Sequence, residues 1–351
     1  MYIALQLIGN IGPAPQLEVF RLYHYEDTEE YDTFMYGDQA RDLNLVPFGG
    51  DAPRMRSIAL WGVHIPWPGA AFLRTGGLVE LELAYHTRDV RPAFVDFMNI
   101  LRASPNLENL TLCLSGPTGN PADWSAEERQ AALTDSTAPF VSSAAEPVVL
   151  PKLTELALSY LEPDYLTALL ARLSFPALTS LAVDFEDADY SAFVQSTLAP
   201  LLSRVTAAKF SGLPCNAAAA GTALSAMSRV SSLNVNLDFL APAWYTLLVG
   251  PPLVCPHLEA LTTTGVGGRE MKALVRARRE QGAPLAAVYM DLEDEVSVRE
   301  ERWLARHVGT FERFEGSDVE DAETEGTVET DSDENLMWDG DTEVVGDHAF
   351  D

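Results

Sequence analysis

The stretch Leu150-Pro151-Lys152-Leu153-Thr154-Glu155-Leu156-Ala157-Leu158-Ser159-Tyr160 decides the fold. A proline is followed two residues later by a leucine, and then comes L-x-x-L-x-L. The phrase returns as Ser104-Pro105-Asn106-Leu107-Glu108-Asn109-Leu110-Thr111-Leu112 and as Phe175-Pro176-Ala177-Leu178-Thr179-Ser180-Leu181-Ala182-Val183. It returns again as Cys255-Pro256-His257-Leu258-Glu259-Ala260-Leu261. Alternate residues of a strand point to opposite sides, so Leu156 and Leu158 face inward while Ala157 and Ser159 face out. Leu153 closes the turn before the strand. One such unit cannot bury its apolar side alone, whereas stacked copies bury each other's and join their strands into one parallel sheet.

This is the signature of a leucine-rich repeat. The expected fold is α/β, a leucine-rich-repeat solenoid or horseshoe of about ten irregular repeats, with a parallel sheet on the concave face and helices outside. The first apolar anchors are Leu17, Met55, Leu78, Leu107, Leu153, Leu178, Val205, Val230, Leu258 and Leu285. By subtraction they are spaced 38, 23, 29, 46, 25, 27, 25, 28 and 27 residues apart. Most intervals fall in or near the window of roughly 20–29 residues for this repeat class, and the two long ones mark insertions.

The chain divides accordingly. Residues 1–13 read as the end of a preceding unit or a short atypical cap. Residues 14–311 form the array, with insertions near 23–52 and 115–149. Residues 312–351 carry 16 acids and one base, Arg313, and read as a disordered acidic tail. The early insertion begins Tyr23-His24-Tyr25-Glu26-Asp27, which fits either a solvated loop or a contact loop. Apolar spacing predicts a helix within 90–103, with Phe94, Phe97, Met98 and Leu101 on its inner face. Further helices are expected near 165–173, 190–202, 217–227, 244–249, 268–281 and 300–308. Within the second insertion, a short helix over 125–133 has Ser125 as N-cap and Glu128 three residues on. Residues 134–147 are rich in Ser, Ala and Pro and are expected to be mobile.

With 47% hydrophobic residues among 351, the chain can bury a sizeable core. Its formal charge of −29 disfavours nucleic acid and anionic membranes. The one basic cluster, Arg269 to Arg279, reads as the polar face of a helix. Three widely spaced cysteines, Cys113, Cys215 and Cys255, suggest a reducing compartment, the cytoplasm or nucleus. No run reaches the roughly 18 apolar residues a membrane helix needs.

Chemistry is sparse. The histidines, His24, His64, His86, His257, His307 and His348, show no metal-ligand spacing and read as surface or loop residues. Gly265-Val266-Gly267-Gly268 lacks the residues of a phosphate loop. The acid pairs Glu186-Asp187 and Asp291/Glu293 read as solvated. No catalytic residue, metal or cofactor is assigned. Ser317 and Thr330, each three residues before an acid, fit an acid-directed kinase.

The register also predicts which side chains line the open face of the sheet. One column runs Arg21, Ala59, Glu82, Thr111, Ala157, Ala182, Lys209, Asn234, Thr262, Tyr289. The next runs Tyr23, Trp61, Ala84, Cys113, Ser159, Asp184, Ser211, Asn236, Thr264, Asp291. Candidate binding residues are Tyr23, Trp61, Glu82, Asp184, Lys209, Asn234, Asn236 and Tyr289. Exposed aromatic side chains on such a face are candidate hot spots, unless the insertion loops fold over them.

The P-x-L-x-x-L-x-L phrases are joined by an ending of Trp303-Leu304, His307-Val308, Phe311 and Phe314-Glu315-Gly316-Ser317-Asp318. Together they resemble the F-box/leucine-rich-repeat proteins of mushroom-type fungi, over roughly residues 14–325. The resemblance implies repeats that select substrates for a cullin-type ubiquitin ligase, docked through an N-terminal F-box. No L-P-x-E followed by an apolar helix precedes the first repeat here, so that role requires an F-box upstream. The expected function is a protein–protein interaction scaffold with an unknown protein partner. The alternatives are an acidic-tail binder of basic proteins such as histones, and an enzyme.

Overall fold

The computed structural model describes residues 10–23, 46–63, 65–134 and 146–315. The described residues up to Phe314 form one compact unit, and the acidic segment from 316 onward lies outside the described residues, as do His24, His64, His348, Ser317 and Thr330. Most of the early insertion and 135–145 lie outside them too.

The strands are β1 (Val19–Tyr23), β2 (Ser57–Trp61), β3 (Glu80–Ala84), β4 (Asn109–Cys113), β5 (Val148–Val149), β6 (Glu155–Ser159) and β7 (Leu173–Ser174). They continue as β8 (Ser180–Asp184), β9 (Ala207–Gly212), β10 (Ser232–Asn236), β11 (Ala260–Thr264), β12 (Ala287–Asp291) and β13 (Thr310–Phe314). Eleven of them make one sheet in the order β1-β2-β3-β4-β6-β8-β9-β10-β11-β12-β13. All its pairings are parallel. The short β5 and β7 pair with each other.

Each clause of the sequence phrase has a backbone job. The proline occupies the second position of a tight turn, whose fixed φ suits it. The anchor N–H closes that turn onto the residue before the proline: Leu17 on Ala14, Met55 on Ala52, Leu107 on Ser104, Leu153 on Leu150, Leu178 on Phe175 and Leu258 on Cys255. One residue later the ladder begins. The Glu108 carbonyl accepts from both Thr154 and Glu155, and the Thr154 carbonyl from both Thr179 and Ser180. The same fork repeats at Val79, Thr179, Thr206, Ser231 and Glu259. The ladder therefore fixes register before any side chain packs.

Along each strand the first and second leucines of L-x-L turn into the core. Leu110, Leu112, Leu156, Leu158, Leu233 and Leu261 are all buried, while the residues between them are partly open. Each inward side chain is worth roughly 1.5–3 kcal/mol of burial. They pack with the inner faces of α1 (Phe94–Arg102), α2 (Trp124–Thr134), α3 (Pro163–Leu170), α4 (191–202), α5 (Ala217–Ala226), α6 (Ala243–Val249), α7 (Gly268–Glu280) and α8 (Val298–His307) in one hydrophobic cluster. The helices lie within a few residues of where apolar spacing places them. In α4 the Ala199 N–H reaches back five residues to Val194, a π turn. Pro200 explains it: its ring excludes a regular α bond at this point. No helix of the described residues is long and apolar enough to cross a membrane.

Several expectations are corrected. Thr310–Phe314, at the junction of expected array and tail, is an eleventh strand paired with β12. Ser125 does not cap α2, which begins one residue earlier at Trp124. Instead its Oγ accepts from Arg172, while Glu128 binds Arg102 and Arg172 at 3.0 and 3.1 Å. Trp124 is fully buried, stacked on Phe94 at 4.5 Å, so the first half of the second insertion is docked on the array. Arg278 is not on a polar face: it is fully buried and donates to the carbonyls of Val254 and Cys255. His86 is not a surface residue either. It is fully buried between Ser115 Oγ and the Val63 carbonyl, at 2.9 and 3.2 Å.

Candidate functional site

The first predicted column stands in register across ten strands, from Arg21 through Ala59, Glu82, Thr111, Ala157, Ala182, Lys209, Asn234 and Thr262 to Tyr289. The second holds from Tyr23 to Asp184 and then slips. A bulge after Val183 pairs Asp184 with Gly212 rather than Ser211. A side chain at position 212 would strike the Phe185 carbonyl, since a Cβ there would sit 2.5 Å from it. Glycine is what permits the bulge.

The columns are less open than their alternation implies. Ala59 and Ala84 are 3% and 1% exposed. Ala59 stands between Arg21 and Glu82, and Ala84 stands beside Trp61. Their larger neighbours close over them. Asp291 is 3% exposed and takes the Glu293 N–H on Oδ1 at 3.0 Å, so of that acid pair Asp291 is buried and Glu293 alone is exposed.

The candidate residues do not form one site. Lys209 and Asn234 are register partners on β9 and β10. Asn236 accepts from the Asp238 N–H at 3.2 Å and pairs with Thr264. Tyr289 sits between Thr262 and Glu312. Eight strand spacings of about 4.8 Å separate β2 from β12, so Tyr289 lies roughly 38 Å along the sheet from Trp61.

Tyr23, Trp61 and Glu82 do come together. Register places Tyr23 beside Trp61, their rings 4.9 Å apart and nearly perpendicular. Tyr85 packs on the other side of Trp61 at 5.6 Å. Trp61 Nε1 donates to Glu82 Oε1 at 2.9 Å. Burial raises the Glu82 carboxyl above the usual range, while the Trp61 bond and the charge of Arg21 oppose the rise and Glu80 adds to it. The outermost ring, Tyr23, remains 50% exposed. Three rings edged by a carboxylate and an arginine can grip apolar and cationic groups.

Tyr85 is the member that periodicity misses. It follows β3 directly and turns to φ +53°, a left-handed conformation uncommon for tyrosine. Gly62, Leu114, Tyr160 and Gly265 make the same turn after β2, β4, β6 and β11. The N–H of the residue that follows the strand bonds across to the end of the neighbouring strand: Gly62 to Ala84, Tyr85 to Cys113, Leu114 to Ser159, and Tyr160 to Asp184. A sequence signal for this exit exists only where the residue is glycine.

Among the described residues no group of three His, Cys, Asp or Glu could hold a metal ion. Compared with models of known protein families and with curated proteins, the chain matches none.

Proposed function

We propose that the protein is an interaction scaffold of the leucine-rich-repeat type, a horseshoe whose open sheet face receives a protein partner. The observation that carries this reading is the Tyr23–Trp61–Tyr85 cluster. Three large aromatic side chains gather, partly exposed, at one end of a face whose other aromatic, Tyr289, stands apart at the far end. Buried aromatic anchors dominate protein interfaces. The partner belongs to a ubiquitin-ligase substrate pathway if an F-box stands upstream.

The test is affinity capture of a partner with the wild-type chain and with Tyr23→Ala/Trp61→Ala. Each anchor lost should weaken binding by about 2 kcal/mol or more, roughly thirtyfold. Unchanged binding removes the cluster from the interface.

A second reading rests on the charge. The chain carries −29, and 316–351 contains no Lys or Arg. That composition suits a holder of basic proteins such as histones. Removing 316–351 separates the readings: loss of salt-sensitive binding to basic proteins supports this one, and retention supports the sheet face.

A further inference from the structure

A cavity of about 430 Å³ opens past the strand ends, between the loops that leave β3, β4 and β6. Its walls are built rather than incidental. Arg91 crosses two loops, donating from Nε to the His86 carbonyl at 3.0 Å and from Nη2 to the Leu114 carbonyl at 2.8 Å. The Thr118 N–H binds the Pro92 carbonyl at 2.8 Å, and its hydroxyl binds the Arg88 carbonyl at 2.9 Å. Tyr165 enters from the first turn of α3 and donates to the Pro117 carbonyl at 2.8 Å. Gly116, at φ +116°, leaves the space for that hydroxyl, since a Cβ there would sit 2.6 Å from it.

The charge inside is the informative feature. The Arg91 guanidinium lies against the Tyr165 hydroxyl, and no carboxylate of the described residues forms an ion pair with it. Burial, with the nearby charge of Arg88, lowers its affinity for the proton. Arg88, exposed on the lining, adds a second guanidinium. The Asn120 amide also lines the cavity; its oxygen takes the Ala122 N–H, which leaves Nδ2 as a donor. One acid, Glu162, is exposed on the lining, but it is not among the groups that perturb Arg91. In a chain of net charge −29, two adjacent arginines without a carboxylate on the inner one make a local positive well.

We infer that this cavity is an oxyanion-binding site, taking a phosphate-type group against Arg91 and Arg88. Arg91 spends Nε and Nη2 on the two carbonyls that fix it in the wall and offers its remaining N–H groups and its charge, which suit the oxygens of phosphate. The volume exceeds that of a bare phosphate ion and falls in the range of ligand pockets, so it accommodates the group that carries the phosphate. The site lies past the strand ends, apart from the aromatic cluster, and does not depend on the proposed scaffold function.

The experiment is isothermal titration of the full chain with inorganic phosphate and with a phosphoserine pentapeptide, at constant ionic strength set with chloride. Wild type should show saturable binding to at least one of the two. Arg88→Gln should weaken it about tenfold, the loss of one charge-assisted hydrogen bond. Arg91→Lys, which keeps the charge but loses the bonds to His86 and Leu114 that hold the wall, should also bind more weakly. Tighter binding of the peptide assigns the phosphate to a protein partner; equal binding assigns it to a small molecule. Absence of saturable binding to both probes overturns the site, as does Arg88→Gln binding equal to wild type.

Discussion

Arg278 on α7 holds the carbonyl of Cys255, the turn residue of its own repeat, with Nη2 at 2.7 Å. Nη1 takes the Val254 carbonyl at 3.1 Å. A fully buried guanidinium thus serves as a backbone staple between helix and turn, with no acid beside it. Its burial lowers its pKa, and its donors give the Val254 carbonyl a partner and the Cys255 carbonyl a second one beside the Leu258 N–H. Arg278→Ala leaves both without that partner and opens a cavity. The expected loss is about 3 kcal/mol, read as a lower urea midpoint. A midpoint within experimental scatter of wild type would remove the staple from the account.

Glu128 gathers the second insertion in the same manner. Its carboxylate is 6% exposed between Arg102, at the end of α1, and Arg172, just after α3. Removing one partner of a buried pair costs more than forming the pair contributes. Glu128→Ala should therefore release α2, with a loss of about 2–3 kcal/mol and early protease cleavage within 115–149 while the sheet stays intact. Cleavage that starts only at global unfolding would contradict this.

Glu82 has a pH signature with a definite sign. Burial raises its folded pKa above the usual 4.5, so the folded chain holds the proton more tightly than the unfolded chain. Ionising it costs stability as pH rises through the folded pKa. Glu82→Gln keeps an acceptor for Trp61 Nε1 and removes that cost. The variant should melt at or above the wild-type temperature at pH 7, and its advantage should shrink as pH falls toward 4.5. An advantage independent of pH would assign it to packing instead.

The legible part of this fold is the part with a phase. In L-x-x-L-x-L the leucines lock both the strand and its facing, so the alignment from Arg21 to Tyr289 follows from the sequence. It breaks at Ser211 because a bulge adds a residue where only Gly212 fits, and one glycine among 23 gives no such notice. Arg278 was illegible because helical charge spacing cannot tell a solvated arginine from one that caps carbonyls. β13 was hidden because Phe311 and Phe314 lie where acidic composition dominates. Tyr85 escaped because left-handed tyrosine has no sequence signature. The cavity depends on Arg91, Thr118 and Tyr165, which meet only after three loops fold.

The central claim is the nearest-neighbour parallel ladder in its stated register, and cysteine cross-linking tests it most directly. Ala157 and Ala182 are register partners on the same face of β6 and β8. Adjacent strands lie about 4.8 Å apart, within disulfide reach. In a background with Cys113, Cys215 and Cys255 replaced by Ser, the pair Ala157→Cys/Ala182→Cys should cross-link on mild oxidation. The pair Ala157→Cys/Val183→Cys, one residue out of phase and facing the core, should not. Cross-linking of the second pair but not the first would contradict the ladder and the open face built on it.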